Sequence, residues 1–120
     1  MKKIVIALAC ASTALVPACT GPALATEPQI GRWAADPQSC RNPGETHASA
    51  PLTVMPMALR WADEYCTIGK MYKAENALYI EGRCSRDGIM SRRPITLTMK
   101  GVRLAVTWDG EQVQEMQRCP

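Results

Sequence analysis

The chain reads as a small all-β protein: an antiparallel meander or barrel of seven to eight strands, stapled by two disulfides, after a cleaved signal peptide. Three observations predict this. Short runs with a period of two recur along the chain, separated by Gly, Pro, Asp and Asn. Four cysteines remain once a leader is removed. The first 25 residues have the layout of an export signal.

The leader comes first. Lys2 and Lys3 form a basic start, residues 4–16 an apolar run, and Pro17 breaks it. Ala23-Leu24-Ala25 fits the small-x-small site of a signal peptidase. The run is 13 residues long, too short to span a bilayer as a permanent helix, and it has no polar face to make it a core helix. Residues 1–25 are therefore expected to be a signal peptide and residues 26–120 a single domain in the periplasm or secreted. An alternative processing site exists. Val16-Pro17-Ala18-Cys19 loosely resembles a lipobox, and lipidation at Cys19 would make the protein an outer-membrane lipoprotein. A membrane is a partner only in that case.

A 95-residue domain has a marginal core without crosslinks. Removing Lys2 and Lys3 from 14 basic residues leaves 12 against 11 acidic, a net charge of +1. Such a balance gives no support to nucleic-acid binding. The mature part has no Phe, so three Trp, three Tyr and six Met carry much of the large apolar volume.

The strands are taken in order. Residues 30–34 read as a first strand. Residues 35–51 read as a long loop, broken by Pro37, Pro43, Gly44 and Pro51. Residues 52–55 form a short strand that Pro56 stops. Met57, Leu59 and Trp61 alternate with Ala58, Arg60 and Ala62 in a third, and Asp63-Glu64 reads as its turn, with both charges solvated. Residues 65–73 return, with a bend at Gly69. Residues 74–77 turn, and residues 78–84 place Leu78, Ile80 and Cys84 on one face. Residues 85–93 read as a polar loop.

The clearest stretch is RPITLTMKGVRLAVTWDGEQVQEMQRC, from Arg93 to Cys119. Centring a two-residue turn on Lys100-Gly101 pairs Met99 with Val102, Leu97 with Leu104 and Ile95 with Val106, all on one face. Asp109-Gly110 makes the next turn. Pairing across it sets Val106 against Val113 but Leu104 against Glu115, so the last strand is expected to be either bulged or an edge.

Cys40, Cys66, Cys84 and Cys119 are an even set in a short exported chain, which reads as two disulfides. Three connectivities are possible. The favoured one joins Cys66 to Cys84, stapling neighbouring strands, and Cys40 to Cys119, tying the early loop to the last strand. No metal site is expected, because no C-x2-C spacing occurs and His47 is the only histidine. No cofactor is expected either.

No motif assembles catalytic machinery; a carboxylate pair distant in sequence could be drawn from Asp36, Asp63, Asp87 and Asp109, but nothing in the chain selects one. His47 reads as an exposed loop residue, and no nucleophile motif occurs. The expectation is a protein that is not an enzyme. The candidate binding residues are Arg83, Arg86, Arg92 and Arg93, whose guanidinium forks would suit carboxylates or phosphates if they converge, and Trp33.

Gly31-Arg32-Trp33 on the first strand of a small barrel resembles the G-x-W of calycin-like barrels. In lipocalins that Trp covers one barrel end and packs against a basic residue of the last strand; here the resemblance implies Arg118. The G-x-W followed by Cys40 also resembles periplasmic inhibitors of secreted metalloproteases, whose N-terminal segment enters the protease cleft. Residues 26–30 would correspond. The whole layout, G-x-W, P-x-x-C, two middle cysteines and a closing W-D-G…C, is similar to small exported proteobacterial proteins of uncharacterised function. The expected role is a non-catalytic binding module acting on another envelope or secreted protein. A small-ligand carrier of calycin type is the alternative.

Overall fold

The computed structural model describes residues 27–113 and 115–120. The proposed signal peptide and Cys19 lie outside the described residues. Nine strands and one short helix follow in order: β1 (Gly31–Ala34), α1 (Pro37–Arg41), β2 (Leu52–Val54), β3 (Ala58–Trp61), β4 (Glu64–Ala74), β5 (Ala77–Arg86), β6 (Ile89–Lys100), β7 (Arg103–Trp108), β8 (Glu111–Gln112) and β9 (Met116–Arg118). Every pairing is antiparallel. Strands β1 to β7 follow each other in space, and β9 pairs with both β7 and β1. The result is a closed eight-strand barrel with β8 as an extra strand. The two disulfides belong to an oxidising, non-cytoplasmic environment.

Alternation fills the interior. Trp33, Leu52, Leu59, Trp61, Ile95, Leu97, Leu104 and Met116 are all essentially unexposed and belong to one cluster. The turns alternate between two ends, as a meander requires. The lower end carries the entry turn of residues 27–30 and the turns at 75–76 and 101–102. The upper end carries the 35–51 connection and the turns at 62–63, 87–88 and 109–110.

Several elements differ from the sequence expectation. The β6–β7 turn is Gly101-Val102, not Lys100-Gly101: Lys100 faces Arg103, Leu97 faces Val106 and Ile95 faces Trp108. Gly101 has φ 63°, which suits glycine at the first turn position. Moving the turn by one residue shifts every partner by two, so the same side chains still point inward. Only the partners change, and Val102 is left 85% exposed.

The 85–93 stretch is a hairpin rather than a loop. β5 and β6 stay paired up to Arg86 and Ile89, with Asp87-Gly88 turning between them. The 35–51 connection contains α1, because Asp36 caps it: its Oδ1 accepts from the Ser39 N–H at 2.9 Å, and Pro37 opens the first turn.

The last strand is bulged. Thr107 faces Gln112, yet Leu104 faces Met116. One extra residue between them replaces Glu115 with Met116 as the neighbour of Leu104, and Met116 enters the core. The disulfides join Cys66 to Cys84 and Cys40 to Cys119, the favoured connectivity. The first links directly paired residues inside the barrel. The second ties α1 to the closing strand.

Candidate functional site: the two barrel ends and the β5–β6 hairpin

The lower end is closed by Trp33. Its indole N–H donates to the Gln29 carbonyl at 3.0 Å. The Arg118 guanidinium lies 4.3 Å from the ring centre and donates to the carbonyls of Ile30 and Pro28 at 2.9 and 2.7 Å. Gly31 has φ 142°, and a Cβ there would overlap the Arg118 guanidinium. Both residues of the G-x-W therefore have a structural duty. Gln29 is fully buried and donates to the carbonyls of Asn76 and Leu97, so the entry turn plugs this end. Trp33 sits in the core, away from the four arginines.

The upper end holds the least expected group. The sequence places Glu64 in a solvated turn, but it is 1% exposed. The turn is Ala62-Asp63, and Glu64 begins β4 opposite Trp61, pointing inward. A buried carboxylate needs partners. Arg93 Nε donates to its Oε2, and Trp108 Nε1 donates to its Oε1 at 3.2 Å. Arg93 also donates to Asp109 at 2.6 Å. The hydrogen bond to Glu64 is the main reason that the Arg93 guanidinium is held above its ordinary range.

His47 covers this cluster with one side of its ring and keeps its side chain 34% exposed. Its ring stacks on Trp61 at 4.2 Å and meets Trp108 edge-on at 6.0 Å. Its Nε2 is buried, 3.8 Å from Glu64 Oε1, with no hydrogen-bond partner. Burial lowers the His47 pKa; Glu64 offsets this in part, while Arg86 and Arg93 add to it. The imidazole is thus neutral at pH 7. Both Glu64 oxygens already accept hydrogen bonds, so Glu64 is a structural acceptor here and not a free base. Glu64 also lies near the sulfurs of Cys66 and Cys84, but a disulfide offers no thiolate to a metal. Beside His47, Trp61 and Trp108 lies a depression of about 300 Å³ that Glu111 and Met116 help to line.

The four predicted arginines do not form one site. Arg93 is committed to Glu64 and Asp109, and Arg86 pairs with Asp63 at 3.2 Å. Arg83 and Arg92 face each other across β5 and β6 on the outer surface. Arg92 lies 3.4 Å from Glu81. Beyond them Ile89 and Met90 are 71% and 65% exposed at the hairpin tip.

Sequence reasoning missed Glu64, His47 and Gln29 as structural centres. Their partners come from distant strands, so no local pattern announces them. The fold and these ends define a small, disulfide-braced antiparallel barrel with one plugged end and one aromatic end. No family model, curated protein or solved structure matches the chain.

Proposed function

We propose that this domain is an exported, non-catalytic binding module that engages another envelope or secreted protein, as an inhibitor-like barrel would. The periplasm or the exterior is its place of action. The β5–β6 hairpin carries the reading: on the β7 side its residues 89–93 have no paired strand among the described residues, and its tip presents Ile89 and Met90 to solvent between arginines. An exposed apolar pair flanked by guanidinium groups is typical of a contact surface. The packed interior supports the same reading, because a calycin-type carrier needs an open cavity where this barrel holds Trp33, Trp61 and Leu97.

The entry turn is less suited to the role its resemblance implies. Glu27, Gln29 and Ile30 are held against the barrel end, with Glu27 paired to Lys73 at 3.1 Å. The small-ligand reading keeps one observation in its favour, the depression walled by Trp61, Trp108 and His47.

The test is site-specific photo-crosslinking in the native host, with the reactive side chain at position 89 or 90 and, as control, at position 103 at the lower end of the barrel. One discrete protein adduct from the hairpin positions alone is expected. If the partner is an enzyme, the purified domain should lower its activity. No adduct from any position, with a small molecule retained in native mass spectrometry, would overturn the reading in favour of a carrier.

A further inference from the structure

The hairpin leaves more than side chains open. In a two-residue hairpin the closing pair exchanges both backbone hydrogen bonds, and pairs then alternate. Arg86 and Ile89 close the turn, so Ile89, Ser91 and Arg93 direct their backbone groups at β5. Met90, Arg92 and Pro94 direct theirs away from it. The Asp109 N–H donates to the Pro94 carbonyl at 2.8 Å, which fixes the same parity independently. β7 ends its ladder at Ile95, so Met90 and Arg92 hold two N–H and two C=O groups on an edge with no partner among the described residues. Pro94 has no N–H to offer, so the edge is two rungs long and stops there.

Folded proteins blunt such edges with bulges, covering loops or prolines. Here Pro94 and the charge of Arg92 do so, and no strand or loop among the described residues covers the edge. The outward side chains on the open rungs are Met90 and Arg92, with Arg83 across from Arg92 on β5. The 83–93 segment has four arginines against Asp87 alone; Arg86 and Arg93 are spent on the rim carboxylates, while Arg92 meets only the exposed Glu81 at 3.4 Å and its side chain stays 76% exposed.

We propose that β6 takes up an extended acidic segment of the partner protein as an added antiparallel strand, paired to Met90 and Arg92 through the backbone. This rests on the binding-module reading and names the chemistry of the partner. Residues opposite each other on adjacent strands share a face. The partner therefore places an acidic residue opposite Arg92 and, two residues later, an apolar one opposite Met90. The backbone bonds supply the docking and this acidic-x-apolar pair supplies the selectivity.

The probe is a capped threonine heptapeptide carrying one glutamate and, two residues later, one valine, added at millimolar concentration to the oxidised, isotope-labelled protein. The amide signals of Met90 and Arg92 should shift and their hydrogen exchange should slow. Replacing the peptide glutamate with lysine should weaken binding at least ten-fold. Arg92→Glu should reverse that preference. Met90→Pro removes one open-edge N–H without touching the β5 ladder and should abolish binding with the near-UV CD unchanged. No shift, shifts centred elsewhere, equal binding of the lysine peptide, or full binding by Met90→Pro would overturn the proposal. If the photo-adduct persists while these results fail, the binding-module reading stands and strand addition falls; if no adduct forms either, both fall.

Discussion

Replacing Trp33 by Ala tests the closure of the lower end. Trp33 is fully buried, and truncating a large aromatic in a core costs about 3 to 5 kcal/mol. The Gln29 carbonyl, which accepts from the indole at 3.0 Å, would lose its donor in a buried place, for about 1 kcal/mol more. The cation–π contact with Arg118 adds about 0.5 kcal/mol, since that guanidinium keeps its two carbonyl bonds. The expected loss is about 5 kcal/mol, at the lower bound of the whole stability of an ordinary domain. Urea titration of the oxidised protein, followed by far-UV CD, measures it without relying on the deleted fluorophore. Trp33→Phe keeps a ring beneath Arg118 but loses the N–H, and should cost about 2 kcal/mol. A Trp33→Ala protein within about 1 kcal/mol of the parent, at unchanged denaturant slope, would refute this account of the closed end.

Three further outcomes are expected. On the chain-entropy model, Cys40→Ser with Cys119→Ser, whose loop spans 79 residues, should cost about 4.5 kcal/mol, and Cys66→Ala with Cys84→Ala, spanning 18, about 3 kcal/mol plus a small cavity; guanidinium titration of each pair checks the order. Because burial lowers the His47 pKa, the unfolded chain binds a proton near pH 6.5 more readily than the folded one. Stability from this residue is then full above that pH and declines as pH falls below it; Tm measured from about pH 8 to 5 should show the decline, and His47→Phe, which keeps the stack, should flatten it. Glu64→Ala leaves the Trp108 N–H and Arg93 without their acceptor and should cost about 3 kcal/mol by thermal or urea unfolding, with Glu64→Gln costing less.

The barrel wall is legible in the sequence because alternation reports burial directly. Leu78, Ile80, Ile95, Leu97 and Leu104 face inward as their spacing requires. The β6–β7 register is less so: two turn positions one residue apart bury the same side chains, so burial cannot choose between them. The Asp87-Gly88 hairpin carries a turn signal, but its polar and arginine-rich flanks hide the strands. α1 has its Asp36 and Pro37 start signals and is too short for a helical period to register. Glu64 is the instructive case. Its charge argues for solvent, and the two side chains that make its burial tolerable lie 29 and 44 residues further on. No local window contains them. The alternation leaves two options for β9, a bulge or an edge, and the need to put Met116 rather than Glu115 beside Leu104 decides for the bulge.

β9 has a consequence for the order of assembly. β1 pairs with β2 on one side and with β9 on the other, and Cys40 waits for a cysteine 79 residues away. In an oxidising environment Cys66 and Cys84 can meet early, since they sit in adjacent strands only 18 residues apart. Cys40 has no correct partner until nearly the entire described domain has arrived, and in an oxidising space a premature bond to Cys66 or Cys84 would trap the wrong topology. The barrel is thus sealed from its far end, and the fidelity of its production rests on how quickly Met116–Arg118 reach β1.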